Sequence, residues 1–234
     1  QPITQNRSAW FAGLSDEAGA ASWLAAMMKQ VLQPDPQEIA KLKRFINETL
    51  YGRIQHREGD KKYGVVKSLF YYEPDSMPAG TYRSDINWKT WAAWPKKEAD
   101  DIGRSYNYPH VAAAHWVMYR LARNYNNLVN EETWDKYLER AYQTSMAMVE
   151  KAPYYAQFGQ MEGSIFLIVL NDLRREGLTL MANNLEAAMR KRAEHWKTLN
   201  YPFGSEMPWD STGQEEVYLW SRFFGFDEKA QVTL

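Results

Sequence analysis

Apolar residues recur at helical spacing along most of the chain, in two kinds of segment. Over 36–56, Ile39, Leu42, Ile46, Leu50 and Ile54 form one stripe while Lys41, Lys43, Arg44 and Glu48 fall elsewhere, and the same two-faced pattern returns over 131–152 and 179–198. The segments 15–33 ("AGAASWLAAMM"), 107–126 ("VAAAHWVMY") and 159–177 ("GSIFLIVL") are apolar or small almost all round. A two-faced helix is packed on one side and a uniformly apolar one on several, so the order along the chain is inner, outer, inner, outer. With a further helix over 212–224, this pattern predicts an all-α fold of stacked αα-hairpins, whose ring-closed form is the α/α toroid.

Local signals mark the ends of these segments. Ser15 before "DEAGAA", "PDP" at 34–36, Asn130 before "EETW" and Ser211 three residues ahead of Gln214 read as helix starts, and Gly177 and Gly225 as stops. Asp227 reads as the cap of another helix, cut off at Leu234, and Gln1 stands where a methionine would begin a chain. A closed ring of hairpins needs about twelve helices and about seven are visible, so 1–234 is expected to be one toroid domain truncated at both ends, an incomplete ring. Its open flanks call for the remainder of the same protein, or a second chain, to cover them.

One stretch breaks the helical rhythm. Over 58–104, Pro74, Pro78, Gly80 and Pro95 interrupt a segment rich in tyrosine and tryptophan. A loop this long is functional or disordered, and its aromatic residues argue against disorder; a short hairpin is expected around 65–72.

Composition narrows the function. The chain is 45% hydrophobic and 24% charged with a formal net charge of −1, enough for one sizeable core and too balanced for binding nucleic acid. The longest apolar run, 165–170, is far short of a membrane span. Cysteine is absent, so no disulfide, thiolate metal site or thiol nucleophile is available; this fits a secreted or periplasmic protein. His110 and His115 are five apart rather than four, and no nucleotide, hydrolase-elbow or zinc motif occurs, so neither metal nor cofactor is expected. The 10 Trp and 15 Tyr exceed what a helical core of this size needs, which points to a pocket for flat or sugar-like ligands.

If the inner helices are parallel, their N-terminal ends share one face, and that face gathers Asp16 and Glu17, then Tyr106, Asn107, Tyr108 and His110, then Gln160 and Glu162, then Glu206, Asp210, Glu215 and Glu216. The aromatic loop, near Asp85 and Trp88, is expected to fold over them. Carboxylates at helix starts also cap free N–H groups, and Ser211 with Gln214 fits a capping box, so Asp16 and Asp210 have a purely structural reading too. Glu206 differs, lying outside any helix between Gly204 and Pro208, where Tyr201, Phe203 and Trp209 can shield it and raise its pKa as a general acid requires. Glu215 and Glu216 are about 100° apart on a helix, so at most one points inward. Glu162, in the first turn of an apolar helix, must be paired or lie at a wet end. His115 reads as a core histidine.

The strings "LSDEAGAASWLA", "RSYNYPHVAAAHWVMYRLARNY" and "YPFGSEMPWDSTGQEEVYLWSRFFG" resemble an uncharacterised bacterial family, domain of unknown function 5695, over most of the chain. That family is similar in layout to the six-hairpin, (α/α)6-toroid glycoside hydrolases. By this fold analogy the expected function is hydrolysis of a poly- or oligosaccharide by two carboxylates: Glu206 as acid, with Glu215, Asp210 or Asp16 as partner. Tyr108, Trp88, Trp209 and His110 are then the expected sugar contacts, with Asn107, Asp85 and Glu162 beside them. A polysaccharide lyase on the same fold, with Tyr108 or His110 as base and Asn107 or Arg104 neutralising a uronate, is the alternative, as is a glycan-binding module without catalysis.

Overall fold

The "PDP" signal does what its chemistry dictates. Asp35 accepts hydrogen bonds from the backbone N–H groups of Gln37 (2.8 Å) and Glu38 (3.0 Å), and Pro36 occupies the first helical position, where no N–H is missed. The computed structural model describes residues 20–90, 93–203 and 211–234. Along them run α1 (Ala20–Leu32), α2 (Pro36–Phe45, continuing into a π turn at Ile46–Leu50), the one-turn α3 (Lys96–Ala99), α4 (Tyr108–Asn124), α5 (Trp134–Lys151), the one-turn α6 (Pro153–Ala156), α7 (Ser164–Arg175), α8 (Thr179–Lys197), α9 (Gln214–Phe223) and α10 (Asp227–Thr233). Among the described residues there is no strand, only two isolated bridges, Tyr51 with Gln55 and Gln55 with Val65. Gly177 and Gly225 end α7 and α9 in the left-handed conformation, as stop signals should.

The helices pack as hairpins, α1 with α2, α4 with α5, α7 with α8 and α9 with α10, and the first members also touch in series: α1 on α4, α4 on α7, α7 on α9. Long-range bonds fix their directions. Trp116 Nε1, midway along α4, donates to Asp172 late in α7 (2.7 Å), and the Tyr119 hydroxyl, further on, to Glu176 at the end of α7 (2.8 Å); just before both helices, the Ser105 hydroxyl donates to Gln160 (2.8 Å). These two helices are therefore parallel. The Tyr125 hydroxyl, just past α4, reaches the Val31 carbonyl at the end of α1 (2.9 Å), so α1 runs the same way. Arg192, late in α8, meets Glu216 at the start of α9, which makes α8 antiparallel to α9.

Burial follows this layering. α4 is enclosed from Tyr108 to Tyr119, whereas α5 and α8 bury one stripe each, such as Leu185, Met189, Ala193 and Trp196. The expectation of an all-round packed helix fails for α1: Leu24, Met27 and Gln30 face the core while Ala25, Ala26, Met28 and Leu32 are exposed, because α1 stands at the edge of the array against α2 and α4.

Four local expectations are corrected. The capping box at Ser211 does not form; Gly213 takes the cap position, and the Gln214 amide donates to the Thr233 carbonyl of α10. Asn130 does not open α5, which starts after Thr133, and Asp227 sits inside α10 and pairs with Arg222 (2.8 Å). The hairpin at 65–72 is replaced by a longer-range pairing: Lys67 N donates to Asp101 O (2.8 Å), Ser68 N to Ala99 O (3.1 Å) and Tyr72 N to Trp94 O (2.8 Å). The two legs of the aromatic loop thus lie side by side.

Candidate functional site

The starts of α4, α7 and α9 meet at one hub. Glu216, in the first turn of α9, is wholly buried; it accepts from the backbone N–H of Gln160 (2.6 Å) and from both terminal nitrogens of Arg192, one at 2.9 Å. A buried carboxylate is tolerable only when its lone pairs are filled in this way. Arg192 spends its other donors on the carbonyls of Ala156 (2.8 Å) and Phe158 (2.8 Å). The Gln160 side chain donates to the carbonyls of Tyr155 (3.0 Å) and Phe158 (2.9 Å), while its oxygen accepts from Ser105 at the foot of α4. Gly159 and Gly213 bring the two loops into backbone contact: a Cβ on either would collide with the other's carbonyl. Gly159 N donates to Pro202 O and Gly213 N to Phe203 O, both at 2.9 Å, so the segment that leads toward Glu206 is pinned to the same hub.

On the rim of this hub stands Glu162, half-buried, with φ +57°. A left-handed glutamate costs on the order of 1 kcal/mol, a strain typical of positions held for what they present. Its carbonyl accepts from Ile165 N (3.1 Å) as α7 begins. Nearby, rings line up: Arg104 lies over Tyr106 (5.6 Å), Tyr106 packs on Tyr155 (5.4 Å), and Tyr155 meets Tyr154 at a right angle (4.8 Å).

The sequence-expected residues divide sharply. Glu206, Asp210, Trp209, Asp16 and Glu17 lie outside the described residues. Glu215 is exposed in the first turn of α9, and its neighbour Glu216 is the one that points inward. Tyr108 is wholly buried and its hydroxyl donates to Ile102 O (2.8 Å); burial pushes the phenol well above its usual pKa, so it packs the core instead of offering a sugar platform. Asn107 is also buried, donating to Val66 O (3.0 Å) and accepting from Arg104 (2.8 Å), which ties the aromatic loop to the foot of α4. His110, equally buried, has its Nδ1 3.2 Å from the Tyr106 carbonyl. These three are braces rather than exposed sugar contacts.

Trp88 and Asp85 lie together at the loop tip. The Trp88 ring stacks on Tyr72 (5.1 Å) and meets Tyr82 (5.3 Å), and its Nε1 donates to Arg83 O (2.8 Å); Asp85 is exposed and paired with Arg83. These rings border a surface pocket of about 540 Å³ that also takes in Pro74, Thr81 and Asn87. Among the described residues, no group of three or more His, Asp or Glu is placed to hold a metal ion, and no helix is long and apolar enough to cross a membrane.

Residues 1–234, the whole chain, match the family of unknown function DUF5695. The chain belongs to that family. No curated protein and no solved structure matches it.

In this DUF5695 chain the hub residue Arg192 escaped sequence reading, and Glu216 entered it only as the alternative to Glu215, yet a signal for the pair existed. Arg192 falls on the buried stripe of α8 between Met189 and Trp196, and Glu216 lies one turn before the buried Trp220. A charge on an apolar stripe demands an opposite charge. Which partner it finds, across 24 residues and a loop, is set only by the fold.

Proposed function

We propose that this chain is part of a glycoside hydrolase that cleaves a poly- or oligosaccharide with two carboxylates on the face where α4, α7 and α9 begin. The observation that carries the reading is the meeting of these helix starts on one hydrogen-bonded hub, beside the left-handed Glu162 and the pinned segment that runs on toward Glu206. In this reading Glu206 protonates the leaving oxygen, while Asp210, Asp16 or Glu215 activates water or attacks the anomeric carbon. Glu162 holds the sugar, and Asp85, Trp88 and Trp209 supply its further contacts. The hairpin array is read as an arc of a six-hairpin toroid, completed by the rest of an exported protein or by a second chain; the exposed Met28 and Leu32 of α1 and Val232 and Leu234 near the other end are the edges to be covered.

The test is a reducing-sugar assay over a panel of soluble polysaccharides. Glu206→Gln is expected to lower turnover by about 10²- to 10⁴-fold, the usual worth of a general acid. Unchanged hydrolysis in that variant would remove the assignment. The lyase reading is weaker, since Tyr108 is buried and already donates to Ile102 O. An unsaturated, ultraviolet-absorbing product from the wild type would restore it.

A further inference from the structure

Large apolar side chains left in water are ordinary when scattered singly, and informative when several share one place and are held rigid. Two exposed tyrosines beside one junction each contact a second ring. Tyr154 and Tyr201, 69% and 82% exposed, are the aromatic residues among the exposed large hydrophobics of the described chain. They flank the same junction, because the loop that follows Tyr154 is bonded to the residue that follows Tyr201 through Gly159 N and Pro202 O. Each is braced by a second ring close to a right angle, Tyr154 by Tyr155 (4.8 Å, 88°) and Tyr201 by Phe203 (6.2 Å, 76°). Tyr155 in turn leans on Tyr106 and the Arg104 guanidinium at the foot of α4, so the series reaches from solvent to the buried hub.

We propose that Tyr154 and Tyr201 form a stacking platform for successive sugar rings of a glycan chain, continuous with the hub where α4, α7 and α9 begin. The inference rests on the carbohydrate reading of that face and adds Tyr154 to it, while Tyr201, expected from sequence to shield Glu206, is 82% exposed and takes a contact role instead. Chemistry favours a sugar over a protein partner. Tyrosine offers a flat apolar face to the C–H side of a pyranose and a hydroxyl to its oxygens, and a ring braced beforehand loses little entropy on binding. Two separate rings on one rim suit a narrow, repeating ligand, whereas a protein interface of standard size buries about 800 Å² on each side around a continuous apolar centre.

The experiment is native electrophoresis of the whole chain through gels containing hydroxyethylcellulose, laminarin, pullulan, polygalacturonate or alginate, alongside size-exclusion chromatography. The wild type is expected to be retarded by at least one of these. Tyr154→Ala and Tyr201→Ala should each weaken that retardation by about threefold to tenfold and the double variant should abolish it, while Tyr154→Phe keeps most of it. Both side chains are exposed, so the variants retain the fold, which an unchanged melting temperature would verify. Failure of the wild type to be retarded by any of the five overturns the proposal, as does undiminished retardation of the double variant. A dimer that the double variant turns into monomer also overturns it, since the platform would then be a protein contact. Retardation that depends on both tyrosines but yields no cleavage sustains the platform and removes only the hydrolase reading.

Discussion

His115 shows how one side chain can be settled by its surroundings. It is wholly buried in α4; Gln55 uses its amide nitrogen on Thr144 (2.7 Å) and Tyr63 O (3.1 Å), so its oxygen must accept from His115 Nε2–H (2.7 Å). The neutral tautomer is thereby fixed, and burial together with the Arg140 charge lowers the pKa to about 3. An unfolded histidine takes its proton near pH 6.5, so between about 6.5 and 3 the unfolded chain binds a proton that the native one refuses. Stability must therefore fall as pH falls through that window, by up to about 1.4 kcal/mol per pH unit from this residue, and flatten below it. Urea titrations of wild type and His115→Gln should give free energies that converge as pH drops from 7 to 4; parallel curves would mean that His115 is not held neutral. None of this was readable from local spacing, since the partner Gln55 is 60 residues away. The sequence could say only that a histidine amid alanines and valines is a core histidine.

At the scale of elements, the buried Arg192–Glu216 pair joins α8 to α9, and the Gln160 N–H bond to Glu216 draws the approach to α7 into the same hub. Glu216→Gln keeps the shape but leaves Arg192 charged and unmatched, and is expected to cost about 3 to 5 kcal/mol, seen as a lower urea midpoint with an unchanged slope. Replacing both residues with methionine should recover much of that loss, because two well-packed apolar groups avoid the desolvation of a charge pair. A cost below about 1 kcal/mol for Glu216→Gln would show that the pair is not closed. The helices themselves were legible: burial demands apolar stripes, and the stripes at 36–56, 131–152 and 179–198 marked α2, α5 and α8 because nothing else produces that period. Helix starts were less legible. Ser211 had the right chemistry for a cap, but Gln214 found the Thr233 carbonyl, a partner supplied by a neighbouring helix rather than by its own turn. Position along the chain put Asn107, Tyr108 and His110 at the start of α4, where the hub forms, but could not say that packing would bury them.

For the whole molecule, a series of hairpins in which each contacts its neighbours should be firmest in the middle and loosest at its ends. α4, packed against α1, α5 and α7, is expected to retain its amide protons longest, and α1 and α10 to exchange first. Hydrogen exchange followed by mass spectrometry checks this, and α10 exchanging as slowly as α4 would contradict an open array. The aromatic loop sits outside that gradient. Its legs are joined at Lys67 with Asp101 and at Ser68 with Ala99, and the Asn107 amide grips Val66 beside them. Among the described residues, the hydrogen bonds that tie the loop to the helices lie at these legs, so the stretch between them behaves as a cassette whose length and rings can change while the helices beneath keep the same plan.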